Sequence, residues 1–490
     1  MTAEADRLGR IVLGGTASML VARYAGTLSV IAATAVMARF ISPEEYGLVT
    51  AAVATMAVAR VLEEVGLGEV IVQRKHISDG QCSALFWINL AFGTACTIAG
   101  VAISPLVATF FGRPELAWIF AALSLNFLIA ALGSQHRALL RRSFRFRAIA
   151  IGHAAALAGG SAIGVILAAR GAGPWAIVGH NIGTSVFLLV SSWVASGWWP
   201  GPPRRVEGLR SMLRFGGLVA ASQAIASIGR NLDSILIGKF VGLGPLGAYD
   251  RAFQLMVLPA TQFNIPFNSA AVPALSRLQH EPEAFRRLYL RLCGVVAAIA
   301  FPIAVFTAAA APAIVATLLG PAWEETATLL RLLAPSGLVL ALNPTIRWVY
   351  LPLGRVGRLF RWVAFSTVVL VAAMVAGLPW GAAGVAIGLG AAHLALWIPS
   401  LMYAYSGTFL RLGDLGRVMW PPPFAAAAAG ALAFAVDPAE LAAPLRLLAQ
   451  GGCFLATYAV LFRMLPGGHA RFTAIRKVLR GDAASREDDA

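Results

Sequence analysis

Apolar runs of about twenty residues recur from Leu13 almost to the end of this 490-residue chain, and the loops between them leave no room for an inserted soluble domain. A run of that length crosses the roughly 30 Å hydrocarbon core of a bilayer as an α-helix, which bonds its own backbone groups within the segment. The composition agrees: 58% of residues are apolar and 13% charged, with a mean hydropathy of +0.74, against roughly 25% charged in soluble domains. The ten-residue alternation of a membrane β-barrel is absent. The chain therefore reads as an all-α integral membrane protein. Its first run carries Arg23 and is longer than a signal-peptide core, so it is expected to be an uncleaved helix.

Gly, Pro and charge punctuation divides the apolar windows into fourteen expected spans, near 13–38, 46–66, 84–110, 115–134, 148–169, 174–196, 215–238, 249–273, 292–319, 326–346, 360–379, 383–405, 420–436 and 445–465. Placing both termini in the cytoplasm puts 29 of the 39 Lys and Arg residues on that side. Six fall on the opposite face (Arg39, Arg113, Arg170, Lys239, Arg251 and Arg446) and four within spans (Arg23, Arg60, Arg230 and Arg331). This positive-inside asymmetry supports the topology, and the basic clusters suit anionic headgroups.

An internal echo suggests a duplication. ARFISPEEYGL from Ala38 aligns with GKFVGLGPLGA from Gly238 at a constant offset of 200, pairing Arg39 with Lys239, Phe40 with Phe240 and Gly47 with Gly247. FFGRPE resembles LLGPAW, and AALGSQHR resembles LALNPTIR, each pair at the same place in the topology. Two six-helix lobes of like orientation are expected at 1–200 and 201–410 around a central cavity, a transporter feature. Two additional transmembrane helices (411–470) and a polar tail (471–490) lie outside the repeat.

No Walker loop, HExxH or GxSxG motif occurs, and no acidic pair lies in a loop large enough for catalysis, so no enzyme activity is expected. Cys82, Cys96, Cys293 and Cys453 are widely spaced in apolar surroundings and read as packed thiols, with no metal or disulfide site. GGSAIG and GVAIG lie inside helices, where glycines permit close packing. His153, His180 and His393 read as packed or cavity-lining. The informative residues are the intramembrane charges. Arg23 lies ten residues into the first span, about 15 Å deep, and Arg230 lies at a comparable level in the paired seventh span. Charge at mid-span costs roughly 2.5–3.5 kcal/mol, which implies water or a counter-ion. Asp233, one turn from Arg230, could neutralise it locally; nothing acidic lies within reach on the helix of Arg23. Guanidinium groups bind phosphate through paired hydrogen bonds, so an anion such as pyrophosphate fits both arginines. Arg251 and Lys239 could receive it at the outer end or act as interfacial anchors. Arg60, Glu63 and Glu64 read as a helix-end ion cluster, and Arg331 as snorkelling towards an interface.

SPEEYGL, VGLGEVIVQRK, FWINL, FFGRPEL, LLRRSFRF, GRNLDSILIGKFVG, YDRAFQL and FNSAAVPALSRLQ, spread over 42–279, together resemble the polysaccharide transporter branch of the MOP flippase superfamily, the Wzx-type exporters of lipid-linked oligosaccharides. The resemblance implies the MOP flippase fold, with fourteen helices in two lobes forming a V. It implies translocation of undecaprenyl-diphosphate-linked repeat units across the bacterial inner membrane by alternating access, for exopolysaccharide, capsule or lipopolysaccharide O-antigen. Arg23 and Arg230 match the cationic lumen residues of such flippases, with Arg251 of YDRAFQL a weaker match. Asp233 is the candidate for coupling to a monovalent cation or proton. A polysaccharide polymerase and a chain-length regulator are the implied partners. The alternatives are a multidrug or cation antiporter of the same superfamily, for which the first lobe offers few lumenal carboxylates, and a membrane polysaccharide polymerase, for which the outer loops are short.

Overall fold

The computed structural model describes residues 25–63, 76–203, 231–436 and 440–465, together with positions 68, 71, 213 and 438. Among the described residues there is no strand, and nine helical stretches are long and apolar enough to cross a membrane. One of the nine, Val356–Tyr405, comprises two helices joined by a short 3-10 turn at Leu378–Trp380. Helices fall on the second expected span as far as residue 63, on the four expected between 84 and 196, and on those expected between 249 and 465. Of the first and seventh spans only Ala25–Met37 and residues 231–240 are described, so the count of fourteen remains an expectation.

Two compact units divide the chain: Met1–Gly247 with Leu318–Ala322, and Ala248–Thr317 with Trp323–Ala490. The first contains α1 (Ala25–Met37), α2 (Pro43–Glu63), α3 (Asp79–Phe111), α4 (Glu115–Arg142), α5 (Phe146–Ala169), α6 (Pro174–Ser196), α7 (231–240) and the start of α8 (Leu243–Arg277). Its main packing pairs are α3 with α4 and α5 with α6, and α4 also rests on α6. The α5–α6 contact depends on a glycine of GGSAIG. A Cβ at Gly160 would lie 1.9 Å from Thr184 Oγ1 and 2.8 Å from the His180 carbonyl oxygen, so only hydrogen lets the two backbones approach.

The second unit continues α8 and adds α9 (Pro282–Ala309), α10 (Ala311–Leu318), α11 (Glu324–Tyr350), α12 (Val356–Gly377), α13 (Gly381–Tyr405), α14 (Leu412–Met419), α15 (Pro421–Ala435) and α16 (Ala443–Met464). Its core includes the buried rings of Phe285, Tyr289, Trp348, Tyr350 and Tyr405 around Cys293. Tyr289 and Tyr405 share a 2.9 Å hydroxyl contact, and Trp348 Nε1 donates to Asn268 Oδ1 at 2.7 Å. All four cysteines are free thiols.

The span expected at 292–319 is two helices, because the chain breaks at Ala310. Pro312 has no N–H to return to the Ala308 carbonyl, and in a membrane a freed carbonyl needs another donor. Arg331 of α11 supplies it from Nε at 3.3 Å, and its guanidinium lies 5.9 Å from the Phe434 ring. The arginine expected to snorkel thus serves the helix break. The same device recurs at Pro302, whose freed Ala298 carbonyl accepts the Tyr458 hydroxyl at 2.8 Å, and at Pro105, where Ser104 Oγ donates to Val101 O at 2.8 Å.

Candidate functional site

The expected anion site rests on Arg23, Arg230 and Arg251. Arg23 and Arg230 lie outside the described residues, as do the side chains of Arg60, Glu63 and Glu64. Asp233 is on α7, buried to 5% exposure, and its Oδ1 accepts the backbone N–H of Ser234 at 2.8 Å. Arg251 is on α8, where it pairs with Asp250 at 2.6 Å, and Gln254 donates to the same carboxylate at 3.0 Å. A neighbouring carboxylate thus balances the charge of Arg251.

At the end of α7 the Lys239 ammonium donates to the Phe110 carbonyl at the C-terminus of α3 and lies 4.8 Å from the Phe110 ring centre. A cation there complements the carbonyl end of the helix. The motif SPEEYGL forms a helix start. Ser42 caps α2, Glu45 N–H donates to Ser42 Oγ at 3.3 Å, and Glu45 Oε2 accepts the Ser42 N–H at 2.8 Å, a capping box with Pro43 at the first helical position. Glu44 pairs with Arg113 of FFGRPEL.

The repeat acquires a structural meaning in this region. A Cβ at Gly47 would lie 1.8 Å from the Leu243 carbonyl oxygen, and one at Gly247 would lie 1.9 Å from that of Pro43. Residues 43 and 47 therefore meet 243 and 247 reciprocally, as two equivalent helix starts crossed about a local two-fold.

A buried aromatic box that residue-type reasoning missed sits at the other end of α4. His136 is fully buried, with Nδ1 2.8 Å from Ser196 Oγ and its ring 4.3 Å from Trp193 and 5.3 Å from Trp198. The tryptophans at 193, 198 and 199 are the sequence signal for it. Of the histidines expected to be packed or cavity-lining, His393 lines a cavity between helices. Among the described residues no group of His, Cys, Asp and Glu could hold a metal.

A family model described as polysaccharide biosynthesis protein matches residues 36–328, more than half of the chain. The chain belongs to this family. Polysaccharide biosynthesis proteins similar to it include the lipopolysaccharide biosynthesis protein WzxC of Escherichia coli K12, 28% identical over 360 residues that cover 72% of each chain. The teichuronic acid biosynthesis protein TuaB of Bacillus subtilis is 27% identical over 62% of this chain and 63% of its own length. The succinoglycan biosynthesis transport protein ExoT of Rhizobium meliloti is 23% identical over 70% and 69%. Among solved structures, the lipid II flippase MurJ in an inward closed conformation superimposes with a TM-score of 0.73 over 91% of this chain and 98% of that one, at 13% identity. An inward-facing multidrug-resistance MATE transporter of the MOP superfamily reaches 0.63 over 80% and 96%, at 14% identity. The chain thus shares the fold of these MOP-superfamily proteins.

Proposed function

We propose that the protein is a flippase that carries an undecaprenyl-diphosphate-linked oligosaccharide from the cytoplasmic to the outer leaflet of the bacterial inner membrane, for surface polysaccharide synthesis. The observation that supports this most is the family match over 36–328, joined to relatives named for polysaccharide biosynthesis and transport along about 70% of the chain. Both termini lie in the cytoplasm in this reading, in keeping with the basic asymmetry. The diphosphate docks on Arg23 and Arg230, and Arg251 receives it after it crosses. The prenyl tail stays in lipid, and two lobes of six helices rock about the bound headgroup. Asp233, a buried carboxylate one turn from Arg230, is the residue that senses a coupling cation or proton. A polymerase and a chain-length regulator act on the exported unit.

The test is flipping of a fluorescent polyprenyl-diphosphate oligosaccharide in proteoliposomes. Wild type is expected to flip it, and Arg23→Ala and Arg230→Ala each to slow it about tenfold or more, the weight of a charged hydrogen bond. Full transport by both variants removes the anion site from this reading. Efflux of cationic drugs with no flipping by wild type replaces the reading with a drug antiporter, to which the MATE likeness of fold is equally open.

A further inference from the structure

Helices α11, α12 and α13 of the second unit enclose a cavity of about 380 Å³, within the roughly 300–1,000 Å³ of small-ligand sites. Helix α13 packs on both neighbours, which touch each other little, so it forms the floor of a trough and they form the walls. The lining side chains recur at helical spacing: Asn343 and Arg347 on α11, Ser366 on α12, and His393, Trp397 and Ser400 on α13. Along α12 the wall runs from Leu359 to Leu370, eleven residues on, or about 17 Å. Arg347 marks the mouth, where α11 and α13 end and α12 begins. His393 lies at the deep end.

Polar side chains recur along this trough among Val339, Ile346, Leu359, Val363, Leu370 and Leu396, although the helices that build it are membrane-spanning. A groove for an alkyl chain would be apolar throughout, and here an imidazole joins Val339 and Leu370 in the deepest section. A second space in the same unit, about 30 Å³ between Met256, Phe267 and Ile303 with Thr307 as its polar residue, shows what packing alone leaves behind. Two groups in the trough await a partner. The Trp397 indole N–H is buried with no hydrogen-bond acceptor, an arrangement that costs free energy in a membrane interior. The Arg347 side chain is exposed at the mouth and has no carboxylate partner among the described residues. His393 is held through Nδ1 by Ser336 Oγ at 3.2 Å, which leaves Nε2 for a ligand.

We propose that this trough is a saccharide-binding site for the glycan of the transported lipid. Trp362 and Trp397 cover the apolar face of a sugar ring. The Trp397 N–H, Asn343, Ser366 and His393 bond its hydroxyls, and Arg347 takes an anionic group at the mouth, either the carboxylate of an acidic sugar or the carrier diphosphate. The inference rests on the flippase reading above and names where sugar, as distinct from diphosphate, is recognised.

The test measures binding of two radiolabelled probes to the full-length protein in detergent: undecaprenyl diphosphate, and the lipid-linked glycan extracted from cells that make the polysaccharide. Trp397→Phe keeps the ring and removes the N–H; Asn343→Leu removes an amide of similar size. Each is expected to weaken glycolipid binding about fivefold while leaving undecaprenyl diphosphate binding and the melting temperature unchanged. Arg347→Gln weakens both probes if the anion is the diphosphate and the glycolipid alone if it is an acidic sugar. Glycolipid binding unchanged in all three variants, or an equal loss on both probes in Trp397→Phe, overturns the trough and leaves the flippase standing. Wild type that binds neither probe overturns both.

Discussion

Helix α2 follows Ser42 and helix α8 follows Gly242 two hundred residues later, and the two starts lie against each other in one compact unit. Where the backbones touch, the two copies match: Gly47 faces the Leu243 carbonyl, and Gly247 faces that of Pro43. Where they face outward they differ. The first start is closed by the Ser42–Glu45 capping box, the second by a glycine at φ +132°, a backbone region that side chains rarely enter. The first carries Glu44, paired with Arg113; the second has Gly244 at that position, with nothing within 4 Å of where its Cβ would be. Close backbone contact tolerates one residue type, whereas an orphan N–H can be satisfied in several ways.

Breaking the crossing has the largest expected effect. Gly47→Ala and Gly247→Ala each place a methyl within 2 Å of a carbonyl oxygen, and each is expected to cost at least the roughly 1–3 kcal/mol of an overpacked core. Gly244→Ala, three residues from Gly247, should be neutral or slightly stabilising. Melting temperatures of the three purified variants check this, and equal values would dissolve the crossing as a structural element. The caps come next. Ser42→Ala is expected to lose about 1 kcal/mol with its side-chain acceptor. Gly242→Ala should lose a similar amount through backbone strain alone, so adding Glu45→Ala should deepen the first loss less than the second. Smallest are the rim charges. Arg113 and Glu44 are 46% and 53% exposed, so Arg113→Gln should shift stability by less than about 1 kcal/mol, and salt should erase even that.

Much of the fold was legible. The apolar runs located the helices over 79–196 and 243–464 without showing the break at Ala310, and the Ser42 capping box could be read from S-x-x-E. The offset of 200 placed Gly47 opposite Gly247 in the alignment without showing that the two helices touch. The candidate site was less legible. The resemblance carried by YDRAFQL pointed to Arg251, but its pairing with adjacent Asp250 went unread, because a side chain's choice among neighbours depends on which rotamers packing allows. Asn343, Ser366 and Trp397 carried no signal of their own: each is an ordinary residue in its helix, and they converge only when three helices meet.

The sequence by itself determined that this chain is a bundle of membrane helices, where most of the described ones lie, and that it belongs with the polysaccharide biosynthesis proteins. Those properties follow from hydrophobic runs and local motifs, because a helix satisfies its backbone within a few residues of itself. Tertiary structure alone decided which donors serve the prolines, with Arg331 on the Ala308 carbonyl and Tyr458 on that of Ala298. It also decided that two glycine-bearing helix starts cross and that a polar trough opens among α11, α12 and α13. In each case the partners lie on different helices, and no local periodicity records which helices will be neighbours.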